Sequence, residues 1–279
     1  MTHAPPSPED LASLAAFAER LCAAARRETL PRFRAVAAVD DKASAAAAGD
    51  QVRADFDPVT EADRAAEAAM RALIAESYPR HGVLGEEHGR LDGDGPYAWT
   101  LDPIDGTRGF ISGLPLWTTL IALTYEGEPV LGVIDQPYLA ERYTGYAGAA
   151  WFKSGPVQRP LAVRPCPHLT DATISTTDPA LFNGAEAAAF EQVRRAARLA
   201  RYGCDGYAYA MLAAGLIDAV IETGLAPYDV HALTPVVEGA GGVFTNWRGE
   251  RAWDGGQVVA AGDPAVHAEA LVALNRAAD

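Results

Sequence analysis

The chain has 279 residues, enough for one large domain or two closely packed ones with a sizeable core. Hydrophobic residues make up 49% and charged residues 22%, close to the globular average, which excludes a disordered or fibrous chain. With 37 acidic against 23 basic residues the formal charge is −14. Such a field disfavours nucleic acid or an anionic membrane as main partner, but a bound cation can reverse the sign locally for an anionic small molecule.

The chain order reads as follows. Residues 7–39 have a helical pattern, with Ser7 as cap, Pro8 at the first position and Asp10 completing a capping box; Leu11, Leu14, Ala18, Leu21, Cys22 and Ala25 recur at helical spacing. The alanine-rich polar stretch 40–54 reads as a mobile loop. A second helix is expected over 60–78, closed by Pro79. Strands follow at 83–84, 97–101, 117–125 and 130–134, the last two joined in a hairpin through Glu126-Gly127-Glu128-Pro129, and the meander continues at 142–146 and 150–153. Then come a strand at 172–176, a helix at 186–200, a strand at 201–202, a helix at 207–214, a strand at 217–222, a helix at 230–240, a strand at 257–261 and a closing helix after Asp263. Strands in runs flanked by helices predict a layered α/β (α+β) sandwich with largely antiparallel sheet, in two halves, 1–148 and 149–279.

No stretch approaches the roughly 18–20 apolar residues of a membrane span. The N-terminal MTHAPPSPED has neither a basic nor an apolar signal region, so no signal peptide is expected. Cys22, Cys166 and Cys204 form no CxxC pair and read as buried, inert thiols of a reducing cytoplasm. His3, His81, His88, His168, His231 and His267 show no HxH or HxxxH spacing, so zinc is not expected, and His88 reads as a surface residue.

The densest chemical signal is Trp99-Thr100-Leu101-Asp102-Pro103-Ile104-Asp105-Gly106-Thr107. An apolar strand ends in an acid, a proline fixes the turn, and a second acid and Gly-Thr follow. Two carboxylates this close repel when buried, and a divalent cation relieves the repulsion; magnesium suits, because it pairs carboxylates with substrate phosphate. The same residues fit a solvated Asx turn. Glu86 and Glu87 follow the 83–84 strand. Asp229 fits a helix N-cap as well as a ligand, and Thr60 with Asp63 fits a capping box.

Taken together, these segments resemble the inositol monophosphatase family of magnesium-dependent, lithium-sensitive phosphatases. The resemblance runs from Asp57 to about Ala261 and rests on four motifs in the family's order: the Pro-Val-Thr-x-Ala-Asp segment ending at Asp63, Gly85-Glu86-Glu87, Asp102-Pro-Ile-Asp-Gly-Thr107, and Tyr228-Asp229 followed by Glu238-Gly-Ala-Gly-Gly242. It implies alternating α-β-α-β-α layers and two or three Mg²⁺ held by Glu86, Asp102, Asp105, Asp229 and the Ile104 carbonyl. Thr107 would orient and help deprotonate the attacking water with Asp63 as its partner, and the N–H groups of Gly106 and Thr107 would hold phosphate oxygens. The N-terminal half would carry most ligands, the C-terminal half would complete the site, and a homodimer is expected. One departure stands out. Many members carry a lysine before the Thr-x-Ala-Asp segment, whereas here Arg53 stands near that place and Lys42 further off.

Three stretches look most like the family's histidinol-phosphate phosphatase branch: Gly132-Val-Ile-Asp-Gln-Pro137, Arg201-Tyr-Gly-Cys-Asp-Gly-Tyr-Ala-Tyr209 and Gly224-Leu-Ala-Pro-Tyr-Asp229. The motif Asp105-Gly-Thr-Arg-Gly-Phe110 is compatible. The family's leaving-group pocket maps to Gly203, Cys204, Asp205, Glu222 and Asp229, with Glu86, Ile104 and Asp105 also reaching substrate. Where the inositol branch usually has a small apolar residue, Asp205 adds a carboxylate beside Glu222, which favours the ammonium and imidazole of histidinol phosphate over a neutral polyol. Asp205 equally fits a helix N-cap, Glu222 a strand-end rim residue, and Tyr207, Tyr209 and Tyr228 either core or imidazole stacking. The expectation is an Mg²⁺-dependent hydrolysis of L-histidinol phosphate in histidine biosynthesis. An inositol-1-monophosphatase or a broad-specificity sugar or nucleotide phosphatase is the alternative, and a non-catalytic phosphometabolite-binding relative is the reading of another class.

Overall fold

The computed structural model describes residues 5–35, 39–41 and 58–279. Helix α1 (Pro8–Thr29) opens with the expected capping box: Asp10 N–H donates to Ser7 Oγ at 3.2 Å and Ser7 N–H to Asp10 Oδ2 at 3.0 Å. It ends at Thr29, ten residues short of the expected end. Pro31 has no N–H and clashes with the preceding turn, and Arg34 then adopts φ 62°. Residues 39–41 are not loop but strand β1 (Val39–Asp41), antiparallel to β2 (Pro58–Thr60). Lys42, Arg53, Asp57, the rest of the expected loop, His3 and the side chain of Thr60 lie outside the described residues. Helix α2 (Glu61–Ser77) stops before Pro79 as expected.

The larger sheet is built from β3 (Gly82–Gly85), β4 (Gly89–Leu91), β5 (Tyr97–Asp105), β6 (Thr118–Tyr125), β7 (Glu128–Gln136), β8 (Glu141–Tyr146), β9 (Ala149–Ser154) and β10 (Val157–Pro160), with the short helix α3 (Thr107–Ile111) between β5 and β6. Its order is β10-β9-β8-β7-β6-β5-β3-β4, antiparallel throughout except for β3 beside β5. The β6–β7 hairpin closes at the predicted turn, where Glu126 (φ 51°) and Gly127 (φ 85°) both take the left-handed conformation that a tight two-residue turn requires. The strands β9 and β10, beyond residue 148, still belong to this sheet.

The smaller sheet follows: β11 (Thr173–Thr176), α4 (Gly184–Ala196), β12 (Leu199–Tyr202), α5 (Asp205–Ala213), β13 (Ala219–Leu225), α6 (Pro227–Val230), α7 (Leu233–Gly239), β14 (Val243–Asn246), β15 (Gly256–Ala261) and α8 (Pro264–Leu274), in the order β12-β11-β13-β15-β14. Two expectations are corrected here. The helix over 186–200 stops at Ala196, because the N–H groups of Arg198 and Leu199 turn to the Ala172 carbonyl and start β12. The helix over 230–240 is two helices broken at His231–Ala232, four residues before Pro235, whose missing N–H leaves the His231 carbonyl without its helical donor.

Alternation along the strands sorts the core into layers. Ile121, Leu123, Leu131 and Val133 pack outward against Leu21 of α1 and Met70 and Ile74 of α2. Leu120, Ile134 and Tyr143 point the other way, onto α5 and α7, which also meet Val220, Phe244 and Val258 of the smaller sheet. That sheet's outer face, with Ile174, Ile221 and Val259, is covered by Phe190 and Val193 of α4 and Val266 of α8. The result is the expected α-β-α-β-α sandwich.

Two devices hold the middle layer and α1 in place. Gly132 and Gly145, opposite each other in β7 and β8, let α7 lie backbone-on-backbone against the sheet: an added Cβ would come within 2.1 Å of the Ala232 carbonyl oxygen at Gly132 and of the Pro235 carbonyl oxygen at Gly145. Gly145→Ala is therefore expected to destabilise the chain by about 1–3 kcal/mol through overpacking, read as a lowered melting temperature; an unchanged melt would contradict this close approach. Asp135, fully buried, accepts Nε and Nη2 of Arg26 (2.7 and 2.8 Å) and Nε of Arg142 (2.8 Å), tying α1 to the sheet. Gln136 Nε2 donates to the Pro115 and Trp117 carbonyls. The polar residues of the 132–137 stretch thus serve the scaffold.

Candidate active site

At the end of β5 the pairing with β6 shifts register between Asp102 and Asp105. Pro103 cannot donate to the ladder there, and its carbonyl instead accepts Thr119 Oγ1 at 2.7 Å. The irregularity leaves Asp102 2% exposed and Asp105 half-buried, so the solvated-turn reading does not hold. One strand away, a Cβ at Gly85 would lie 2.0 Å from the Glu67 carboxylate. Glu67, buried in α2, accepts the N–H groups of Glu87 (2.7 Å) and His88 (3.2 Å) and Nε of Arg71 (2.6 Å), which wraps the turn carrying Glu86 around it. His88 is exposed, as expected.

These elements converge their acids. Carboxylate oxygens of Asp63, Glu86 and Asp102 lie within 4.8 Å of one another, and so do those of Asp102, Asp105 and Asp229. Asp63 thus stands in the acid cluster itself, and Asp102 is common to both groups. Asp229 sits in the first turn of α6, where its Oδ2 accepts the Ala226 N–H at 2.7 Å, so capping and clustering coexist in one side chain. Burial first, then Glu86, Asp105, Asp229 and Asp63, push the Asp102 carboxyl well above the usual range. Burial, Asp205 and Asp229 do the same to Asp105. Among the described residues, the buried Oδ1 of Asp102 has no hydrogen-bond partner. Crowded, desolvated oxygens with an unused acceptor fit a hard divalent cation such as Mg²⁺, and neither candidate group contains histidine or cysteine. Thr107 Oγ1 donates to the Ile104 carbonyl at 3.0 Å, where a second lone pair remains. Gly106, at φ 83°, makes the turn into α3.

Beside the acids lies a cleft of about 500 Å³. Glu222 is 2% exposed, not a rim residue: it accepts Thr176 Oγ1 (3.1 Å), Thr177 N–H (2.8 Å) and Thr177 Oγ1 (3.0 Å), and burial pushes its carboxyl up to about 8. Asp205 is the first residue of α5 and Cys204 its N-cap, so the capping reading fails for Asp205. It adopts φ 44°, and burial raises its carboxyl to about 6 against the opposing pull of Thr177 and Arg108. Next to it, Gly206 N–H donates to Asp105 Oδ2 at 2.6 Å, which also accepts Thr118 Oγ1 at 3.0 Å. This joins the cleft wall to the acid cluster. Gly203 and Cys204 form the turn into α5 and are not part of the cleft's described lining.

Tyr207 turns away to Glu141 (2.7 Å), whereas Tyr209 lines the cleft and Tyr228 is half-buried. Cys22 and Cys166 are buried as expected; Cys204 is only half-buried. Sequence reasoning missed Glu67, Thr177, Asn183 and Glu186. Glu67 and Arg71 stand four apart, a spacing common on any helix surface, so nothing in the sequence marks Glu67 as buried. Glu186 closes the capping box of α4 with Asn183, and it also lines the cleft with Oε1 accepting Thr223 Oγ1 (2.7 Å) and Gln257 Nε2 (2.6 Å).

Five alternating layers, buried acids at the strand ends and an adjoining acid-walled cleft define a metal-dependent phosphoric monoester hydrolase. The chain belongs to the inositol monophosphatase family, whose model matches residues 10–278. It is 46% identical over 231 residues to the bifunctional phosphatase IMPL2, chloroplastic, of Arabidopsis thaliana, a match that covers 79% of this chain and 66% of that protein. It is 34% identical over 268 residues to a histidinol-phosphatase of Streptomyces coelicolor, covering 93% and 96% of the two chains. A solved inositol monophosphatase from Zymomonas mobilis matches with a TM-score of 0.79 at 39% identity, covering 92% of this chain and 96% of that one. The family acts on small phosphorylated metabolites. Among the described residues, no helix is long and apolar enough to cross a membrane.

Proposed function

We propose that the chain is an Mg²⁺-dependent histidinol-phosphate phosphatase, converting L-histidinol phosphate and water to L-histidinol and phosphate. The observation that carries the substrate is the pair of carboxylates, half-buried Asp205 and buried Glu222, on the cleft wall beside the acid cluster. Two carboxylates in a desolvated wall favour a cationic leaving group and leave a neutral polyol without charge complementarity. Relatives with the histidinol-phosphatase name support the same reading.

Asp63, Glu86 and Asp102 would hold one cation and Asp102, Asp105, Asp229 and the Ile104 carbonyl another. Bound there, Mg²⁺ supplies charge neutralisation at the phosphoryl group and acidifies a water. Thr107 directs its proton to the Ile104 carbonyl, so its oxygen is free to accept a hydrogen bond from the attacking water. The Gly106 and Thr107 N–H groups hold phosphate oxygens. The water oxygen forms the new P–O bond in line as the ester P–O bond breaks, and the proton the water gives up ends on the departing alkoxide, so that L-histidinol and phosphate are the products. Gly206 and Thr118 keep Asp105 fixed through its Oδ2, while Asp205 and Glu222 hold the leaving group's positive charge.

The test is kcat/KM for L-histidinol phosphate and inositol 1-phosphate, side by side, with Mg²⁺ and with chelator. Histidinol phosphate is expected to be favoured by at least ~10-fold, the preference that roughly 1.4 kcal/mol of charge complementarity gives. A reversed ratio would make the chain an inositol-1-monophosphatase. Phosphate release that survives the chelator would remove the metal reading, and no release at all would return the non-catalytic relative.

A further inference from the structure

The cleft wall contains a polar group that this mechanism leaves unused. Tyr209, in α5, is 2% exposed, and its ring packs against Phe244 (centroids 5.9 Å apart) between the two sheets. Yet it lines the cleft, and its buried hydroxyl has no hydrogen-bond partner among the described residues. Tyr209 shares the cleft lining with Glu222, Asp105 and Asp229, so it stands where the leaving-group wall proposed above meets the acid cluster. The neighbouring tyrosines are different: the hydroxyls of Tyr207 and Tyr143 both donate to Glu141 Oε2, at 2.7 and 2.8 Å. A buried tyrosine normally satisfies its hydroxyl, and where packing alone is needed phenylalanine fills the same space without leaving an oxygen desolvated.

We propose that the Tyr209 hydroxyl is a specificity-determining substrate contact that takes its missing hydrogen bond from the leaving group of the phosphomonoester. The assignment rests on the leaving-group pocket proposed above. Its surroundings choose the partner's chemistry. The charged residues that share its wall are carboxylates, and a bound cation favours their ionised, acceptor-only form, which leaves the hydroxyl's lone pairs for a donor on the ligand. An ammonium or imidazole N–H of a cationic leaving group meets the Glu222 carboxylate and the phenol oxygen together. The phosphate, an acceptor, belongs with the N–H groups of Gly106 and Thr107.

Tyr209→Phe tests this, with Tyr207→Phe as control. For Tyr209→Phe, kcat/KM on L-histidinol phosphate is expected to fall by about 10-fold, and the Kd of L-histidinol by calorimetry to weaken by a similar factor, as the loss of one hydrogen bond to a charged group gives. On p-nitrophenyl phosphate, whose leaving group offers no donor, kcat/KM is expected to stay within about 2-fold. The Kd of Mg²⁺ and the melting temperature are expected to stay at wild-type values, because the hydroxyl holds nothing in the chain itself. Tyr207→Phe is expected to lower the melting temperature and to leave the ratio between the two esters unchanged. Equal losses of Tyr209→Phe on both esters, no loss on histidinol phosphate, or a clearly lowered melt would overturn the proposal. Should the wild-type chain prefer inositol 1-phosphate, the histidinol reading fails by itself. The Tyr209 proposal then stands or falls on whether Tyr209→Phe loses activity on that ester while sparing p-nitrophenyl phosphate.

Discussion

Asp102→Asn is expected to lower Mg²⁺-dependent phosphate release by at least ~1,000-fold while making the metal-free chain more stable. Both directions follow from one geometry. Asp102 is common to the two carboxylate groups, each drawn within 4.8 Å, and it is 2% exposed. Without a cation, its charge faces Glu86, Asp105, Asp229 and Asp63 in a desolvated setting, and one of its oxygens has no donor among the described residues. A neutral amide of the same shape relieves that repulsion, by roughly 1–2 kcal/mol, which for a chain of this size raises the melt by about 2–6 °C. The same exchange removes the one carboxylate that both proposed cation positions share, and about 4 kcal/mol of lost transition-state stabilisation corresponds to the expected rate. The measurement is a pair of melts, with and without Mg²⁺, beside a phosphate-release assay. The wild-type chain should gain stability on adding Mg²⁺ and the variant should gain much less. A variant that melts below wild type in chelator would mean that Asp102 is held by the fold and not by a cation.

The acid cluster was legible because its core is local. Asp102, Pro103, Ile104, Asp105, Gly106 and Thr107 are contiguous, and the strand end and proline that present them are written in the same six residues. Glu86 and Asp229 were found the same way, each beside a strand end or a helix start. The cleft was less legible because no single segment makes it. Thr177 follows β11, Asn183 and Glu186 open α4, Asp205 opens α5 and Glu222 lies in β13, and only the order β12-β11-β13-β15-β14 sets them side by side. The sequence leaves Tyr209 open between core and imidazole stacking; its ring is core, and the missing partner of its hydroxyl separates it from Tyr207. The strands β4 and β10, missed entirely, are exposed edges with no apolar alternation to betray them. The break at His231–Ala232 was written in Pro235 but hidden by a continuous helical pattern around it.

The −14 charge acquires structure from this arrangement. Five acids, Asp63, Glu86, Asp102, Asp105 and Asp229, crowd where cations would gather, and Asp205 and Glu222 line the wall beyond. Other acids brace the scaffold: Asp135 holds two arginines and Glu67 the turn at 85–88. A negative chain can therefore take a phosphate on one side of a site and a cation on the other. Charge count alone could exclude a polyanionic partner but could not show this division.

The Glu222 carboxyl makes that division measurable through pH. Burial raises it to about 8 in the folded chain, from about 4.5 when solvated, outweighing the opposing bonds from Thr177 and Thr176. Between those values the folded chain keeps a proton that the unfolded chain has released. The stability linked to Glu222 is therefore fully present below about pH 4.5 and is lost as pH rises towards 8, with no further loss beyond. Glu222→Gln removes the linkage. In the metal-free chain its melting temperature relative to wild type should climb between about pH 5 and pH 8 and then level off. Ligand binding runs the same equilibrium in reverse. A cationic leaving group favours the ionised carboxyl, so L-histidinol should expel a proton from Glu222 when it binds near pH 7. Calorimetry in buffers of different ionisation enthalpy reads that proton directly. The wild-type chain should release close to one proton at pH 7 and almost none above pH 9, and Glu222→Gln should release none from this site while binding L-histidinol on the order of 10–100-fold more weakly. Equal proton release by both proteins would place the cation somewhere other than beside Glu222, and a melt difference that stays flat across the window would mean that Glu222 is already ionised in its pocket.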